Sequence, residues 1–523
     1  MTGRPARFWF WDPSHFPRPV TPAAETFDLP AMAAGFAAAA AELRRPLAGQ
    51  YVRVERGYVY FGVDVPRSQE ELASREAAYH AAVAPLVDSA LSDWTERYAP
   101  EAERLTRALW SLAGDRGDDA GFAAALDEAV TLRTGQWRAH DLALVPAMEA
   151  AARFTSYYAD HLGGVAAAQT SLQGFPNRAT EAAEALESFA ETVRERPDIV
   201  RSLVDGVARP ASADAVTDRW FRDALQRFLH TYGQRSEGWD VGTPTWSEDP
   251  SPVLLLLREH LRRPPAQPGA HRRRATQQRE AATGRALRDL PDDERPAFLR
   301  SLQAAQAYVV VSEDHNALID QQGMAALRAV LLAAGRRLSI NGRVATPEDA
   351  VWLTRAELQA ALRGSRTGRH LPARRRSLQR RRALTHPARI LGRPLPAWAA
   401  ANPTLADFFG LGAEPAVTPN RLQGTGVSPG VATGRACIVR SLDEIDALEP
   451  DDILVCPTTS PAWTPWLGLI AGAVVETGGM LSHTAVLARE YGIPCAVNVR
   501  DATSTIPNGA EVHIDGATGA VTW

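Results

Sequence analysis

Between residues 68 and 382 apolar side chains recur at steps of three and four, the spacing of one face of a helix. The pattern predicts helices at 69–98, 137–161, 180–194, 214–232, 303–335 and 354–363. Gaps rich in proline and glycine, such as 242–252 and 264–269, punctuate them. Ahead of this region, 29–43 has helical composition. The stretch 51–63 (YVRVERGYVYFGV) alternates on both sides of Glu55-Arg56-Gly57, which predicts a β-hairpin. Behind it, prolines at 387, 394, 396, 403, 415 and 419 thin out the helical pattern and mark a linker. Beyond 422 the texture changes to short apolar runs at 436–439, 453–455, 473–475, 495–497, 512–514 and 520–522, with one helical pattern at 482–491. No repeat of fixed period is present. The expected architecture is multidomain. A mixed segment with a hairpin (1–67) packs on a mainly α-helical domain (68–400), and a linker (401–421) leads to a compact α/β domain (422–523).

A chain of 523 residues is too long for one core, which agrees with that division. The formal net charge of −4 is too near neutral to imply nucleic acid or a membrane surface as partner. The three cysteines, Cys437, Cys456 and Cys495, show neither metal-ligand spacing nor the even count of a disulfide framework. No apolar run approaches the ~18 residues of a membrane span, and the short block Phe8-Trp9-Phe10-Trp11 is not a signal-peptide core. A cytoplasmic location is expected. The chain contains no lysine; all of its basic side chains are arginine or histidine. Codon bias is one explanation. Whatever the cause, a Schiff-base lysine and a P-loop are both excluded.

Candidate chemistry concentrates in Gly478-Gly479-Met480-Leu481-Ser482-His483-Thr484-Ala485. An apolar run at 473–476 reads as a buried strand. The two glycines permit a tight turn, Ser482 is a good N-cap, and His483 falls at the first helical position. Gly492 and Pro494 end the helix. A helix N-terminus favours the neutral, nucleophilic imidazole, and its free N–H groups suit phosphate oxygens. The arrangement fits a phosphorylated histidine better than a metal site, which calls for partner ligands nearby. No metal ligands are assigned, and His483 is expected near the surface of its domain.

This segment resembles the swivelling phosphohistidine domain of phosphoenolpyruvate-utilising enzymes. Gly426-Val427-Ser428-Pro429-Gly430 is similar to that domain's entry. Pro461-Ala462-Trp463-Thr464-Pro465 is similar to the loop facing the histidine, and Asn508-Gly509-Ala510-Glu511-Val512 to its closing hairpin. Within the family the chain most resembles rifampin phosphotransferases. The supporting echoes are Pro17-Arg18-Pro19, Tyr232-Gly233-Gln234-Arg235 with Glu237, the segment 245–250, and Glu313-Asp314. The resemblance implies that His483 carries a phosphoryl group and hands it to a small organic acceptor held by the helical domain. It also implies phosphate or substrate contacts from Gly478, Gly479, Ser482, Trp463 and Thr464. Leu481 stands where dikinases often have threonine, and Gln234 where related helical domains often have histidine. No ATP-grasp region is recognisable, and no barrel for phosphoenolpyruvate is expected. ATP and magnesium are therefore expected on a separate ATP-grasp partner that charges His483 in trans. A condensing or dehydrating enzyme with a transient phosphorylated intermediate is an alternative. So is a binding protein in which His483 is never phosphorylated.

Other candidates stay open on sequence. Arg235 and Glu237 are either a surface ion pair or substrate anchors, Arg235 matching phosphate bidentately. Glu313 and Asp314 are either charge at the opening of a helix or the base that deprotonates an acceptor hydroxyl. Trp239 and Trp246 are packing residues or stacking surfaces. The arginine runs at 271–274 and 363–382 are solvated helix faces or an anion-attracting surface.

Overall fold

The computed structural model describes residues 7–114, 118–204, 218–265, 267–365, 370–382, 387–392 and 418–523. The chain forms two compact units, each gathered from separated stretches: Met1–Ala147, Gly238–Thr243 and Leu318–Asn402 in one, and Met148–Glu237, Pro244–Ala317 and Pro403–Trp523 in the other. The helical stretch 68–400 thus contributes to both. Of the linker expected at 401–421, residues 401–417 lie outside the described residues.

In the first unit the expected hairpin is present as Ala48–Glu55 and Tyr58–Asp64, in register at Arg53↔Tyr60 and Val54↔Val59. Its turn needs positive φ twice, at Arg56 (53°) and Gly57 (90°). At Gly57 a Cβ would also stand 2.8 Å from Pro19 Cβ. The Phe8–Trp11 block joins this hairpin in the strand Arg7–Trp11, and Ile390–Leu391 completes a four-stranded antiparallel sheet. The predicted helix at 69–98 is Gln69–Val87, capped by Ser68 accepting from Glu71 N, followed by Ala90–Asp93 and a π-helix Trp94–Tyr98. A fully buried ion pair ties this unit together. Arg133 donates to Asp28 at 2.8 Å, to Gln136 Oε1 at 2.7 Å and to the carbonyl of Ile319 at 2.8 Å, while Trp137 Nε1 donates to Asp28 at 3.1 Å.

The second unit combines helices with a mixed eight-stranded sheet. Its strand order is Arg421–Gln423, Ala520–Thr522, Glu511–Asp515, Val431–Ile438, Ile453–Cys456, Gly472–Val475, Cys495–Val497, Thr425–Ser428. The fourth to seventh strands in that order are parallel; the three strands on one edge and the single strand on the other pair antiparallel. Alternation along the strands decides which core each side chain joins. Ile453 and Val455 face a core with Val474, Val512 and Ile514. Leu454 and Cys456 face the opposite way, into a core shared with Leu487, Leu186, Phe221 and Leu254. Those last three come from the helices Arg178–Arg194, Arg219–Tyr232 and Ser251–Arg262. The α/β domain and the helices beside it therefore share one apolar interior. The three cysteines are buried free thiols. Among the described residues no helix is long and apolar enough to cross a membrane.

Candidate active site

The strand Gly472–Val475 delivers the chain to the glycine turn. Glu476 leaves that strand buried, and its Oε1 accepts from Thr503 N at 2.8 Å and Thr503 Oγ1 at 2.6 Å. Gly478 has φ of +95°, and a Cβ there would stand 2.8 Å from Ser482 Oγ, so glycine is needed for conformation and for space. Ser482 caps the helix His483–Tyr491 as expected, accepting from Ala485 N at 3.4 Å, and Gly492 closes it in the left-handed region. Thr484 exchanges a 2.7 Å hydrogen bond with Thr459 of the facing loop.

His483 is not at an open surface. Its side chain is 13% exposed, and Nδ1 stands 2.9 Å from Oε2 of Glu313, itself 1% exposed. The two groups are at ion-pair distance without hydrogen-bond alignment, and neither carboxylate oxygen accepts a hydrogen bond from any described residue. Glu313 belongs to the helix Arg295–His315. The sequence placed Glu313-Asp314 at the opening of a helix; they sit in its last turn instead. The chain stays helical through a π-segment, Asn316–Gln321, and on into Gln322–Ile340. That continuity hid the true position. It also means that no exposed helix end opposes the two carboxylates.

Three further contacts hold the histidine loop and its helix. Tyr308 of the same Arg295–His315 helix donates its hydroxyl to the carbonyl of Leu481. Arg489 donates from Nη1 to Val427 O at 3.0 Å and to Met480 O at 3.2 Å. Burial brings the Arg489 guanidinium down to about 10, which leaves it a cation at neutral pH. Glu490 accepts from Gly174 N with both oxygens, at 2.8 and 2.9 Å. Burial pushes this carboxyl up to about 7, although the Gly174 N–H and Arg489 pull it down. Tyr308, Arg489, Glu490 and Gly174 were not candidates on sequence. The only hint was a pair of charged residues on a short helix whose residues from Thr484 to Tyr491 are all buried.

Asp314 accepts from Arg178 N at 2.9 Å, and Arg235 donates from Nη2 to Arg178 O at 2.9 Å and from Nη1 to Tyr232 O at 3.2 Å. Both brace the first residue of the Arg178–Arg194 helix. Arg235 is buried, not part of a surface pair, and burial lowers its guanidinium to about 10. Glu237 Oε1 accepts from Leu442 N at 2.8 Å, another tie to the α/β domain. Trp463 is buried in the shared core, and so is Trp246, under the Arg235 guanidinium. Trp239 is buried in the first unit with its ring 4.8 Å from that of His15. Thr464 is 2% exposed, with Oγ1 unpartnered among the described residues. Gly479 O accepts from Ser482 N. His483 and Glu313 are therefore the sequence candidates brought directly together. Arg235, Glu237 and Asp314 shape the elements around them.

Two family matches fall largely within the second unit. Residues 448–519 match the mobile domain of PEP-utilising enzymes, and residues 140–313 match the fourth domain of rifampicin phosphotransferase. The mobile domain of PEP-utilising enzymes is thus matched where the glycine–histidine motif implied it. It is 32% identical to a rifampicin phosphotransferase of a Streptomyces species over 72% of its length, and 29% identical to the uncharacterized phosphotransferase YvkC of Bacillus subtilis over 67%. It is also 32% identical to chondramide synthase cmdD of Chondromyces crocatus over 98% of its length. The chain spans less than half of each relative: 44%, 42% and 14% respectively.

Proposed function

We propose that this protein carries a phosphoryl group on His483 and transfers it to a small organic acceptor. The observation that carries the reading is His483 at a helix start behind a glycine turn, with Nδ1 2.9 Å from the buried carboxylate of Glu313. A phosphoryl group on Nδ1 would bring anion against anion in a dry site, so Nε2 is the carrier atom. Glu313 Oε2 then faces the ring and fixes its orientation, as a carboxylate does for a catalytic histidine. In the transfer step the Nε2–P bond breaks as the acceptor O–P bond forms. The bonding pair returns to Nε2, which takes up the proton that the acceptor hydroxyl releases. Positioning and charge stabilisation are the protein's contribution, as phosphoryl transfer requires.

The family match supports phosphotransfer, and the two names containing phosphotransferase agree with it. A phosphohistidine must be charged from a high-energy donor. The chain has no lysine and no P-loop, so we assign ATP and magnesium to an ATP-grasp protein acting in trans. The test incubates the purified protein with γ- and β-labelled ATP, with and without candidate ATP-grasp proteins, and then examines acid lability. Acid-labile label that requires the partner and is lost in His483→Ala supports the reading. Stoichiometric labelling by ATP alone removes the trans partner, and full turnover of His483→Ala with the native substrate removes the phosphohistidine.

One observation favours a second reading. Similarity to chondramide synthase extends over nearly the whole chain, including the first unit, whereas the phosphotransferases match about 70% of it. A condensing enzyme that phosphorylates its acceptor and then expels the phosphate fits that breadth. Such an enzyme releases inorganic phosphate and accumulates no phosphorylated product.

A further inference from the structure

Three consecutive carbonyls precede His483, and their donors come from different places. Gly479 O accepts from Ser482 N at 3.1 Å, and Met480 O from Arg489 at 3.2 Å; both donors belong to the mobile domain itself. Leu481 O accepts instead from the hydroxyl of Tyr308, on the helix Arg295–His315. A buried carbonyl needs a partner, and Leu481 is 7% exposed. Tyr308 is 2% exposed, and burial raises its phenol above the ordinary tyrosine range, so the hydroxyl stays a proton donor at every working pH. Five residues further along the same helix is Glu313, roughly 7 Å away along the axis. One rigid element thus touches the loop at Leu481 and the ring at His483.

We propose that Tyr308 is a positioning residue. Its grip on the Leu481 carbonyl sets the register in which His483 meets Glu313. The proposal rests on the reading of His483 as a phosphoryl carrier and adds the device that tells the histidine where to stop. Tyr308 meets neither the ring nor an acceptor in this arrangement and acts through the loop. A carbonyl two residues from the histidine is present whether or not the ring is phosphorylated, so the same contact serves arrival and departure.

The test uses the full chain with isotope-labelled histidine, reading the ring-nitrogen resonances of His483, which are assigned by their absence in His483→Asn. Tyr308→Phe removes one oxygen and keeps the ring's packing. The His483 Nδ1 resonance is expected to move from its wild-type position toward that of Glu313→Gln, although Glu313 is untouched. Wild-type resonances in Tyr308→Phe, beside shifted ones in Glu313→Gln, overturn the proposal. Unshifted resonances in both variants overturn it too, by removing the pairing it serves. If Tyr308→Phe does not fold, the Leu481 carbonyl 13C resonance of the wild-type protein is compared in H2O and D2O. An isotope shift supports the hydroxyl donor, and its absence overturns it. In parallel, the wild-type and Tyr308→Phe proteins are exposed to phosphoramidate as a chemical phosphoryl donor. Labelling of His483 is expected in both, because the variant alters register and keeps the nucleophile. Absence of label from wild-type His483 overturns the carrier reading, and with it the purpose assigned to Tyr308, whatever the resonances do.

Discussion

Oε2 of Glu313 stands 2.9 Å from Nδ1 of His483, a carboxylate from the helical region meeting the ring of the mobile domain. Replacing Glu313 by glutamine keeps the shape and removes the charge that faces Nδ1. Transfer from phosphorylated His483 to the acceptor is expected to slow by roughly 10- to 100-fold, the usual effect of removing the partner that orients a functional histidine. Charging of His483 by phosphoramidate should slow as well, because the same ring is the nucleophile. Single-turnover release of label from the phosphorylated protein checks the first, and labelling rate the second. Equal release from Glu313→Gln and wild type would falsify the role.

Glu490 is expected to make docking of the mobile domain pH-dependent. Its carboxyl is pushed up to about 7 in the docked arrangement, burial being the largest cause. The groups that face it are Gly174 N–H, Arg489, Arg279 and Glu313, with Arg272 also within electrostatic reach. Undocking returns the carboxyl to water and to the ordinary range near 4.5. Between those values the docked state binds more protons, so docking is strongest at acid pH and weakens as pH rises through about 7. Limited proteolysis or an interdomain fluorescence pair, followed from pH 5.5 to 8.5, should show this slope, and Glu490→Gln should flatten it.

Arg489 should matter to folding as much as to chemistry. Its guanidinium serves the carbonyls of Val427 and Met480, inside the mobile domain. Arg489→Met fills the volume but leaves the buried carbonyl of Val427 and the half-buried carbonyl of Met480 unmet. The expected loss is roughly 2–4 kcal/mol, read as a lower midpoint in denaturant unfolding. A change below about 0.5 kcal/mol would mean that water reaches both carbonyls.

The first unit offers an independent check. Arg133 is fully buried and supplies the only guanidinium on Asp28 among the described residues. Arg133→Met strands that carboxylate, and a loss of about 3–5 kcal/mol is expected. Asp28→Asn combined with Arg133→Met should recover part of it, because the stranded charge is gone. A double variant as unstable as the single one would assign the loss to packing instead.

The sequence alone determined the features whose causes lie within a few residues. Ser482 caps its helix because its hydroxyl reaches the backbone three residues on, and Gly478 turns the chain because no other residue fits there. Alternation about Arg56-Gly57 made the hairpin, and the apolar runs from 436 to 522 made strands. His483 could be singled out for the same reason: its helix start and glycine turn are local. The partners of that histidine were decided only by the tertiary structure. Glu313 was visible as an acidic residue, yet a helical pattern that never breaks between 303 and 335 hid its place in a last turn. Tyr308 looked like one more aromatic on a buried face, and Arg489 and Glu490 like the charged end of a short helix. Their roles depend on which carbonyls remain unpaired once faces distant in the chain have packed together. Periodicity records which face of a helix is apolar, and burial of that face against a particular neighbour selects the polar pair that survives in the dry interior.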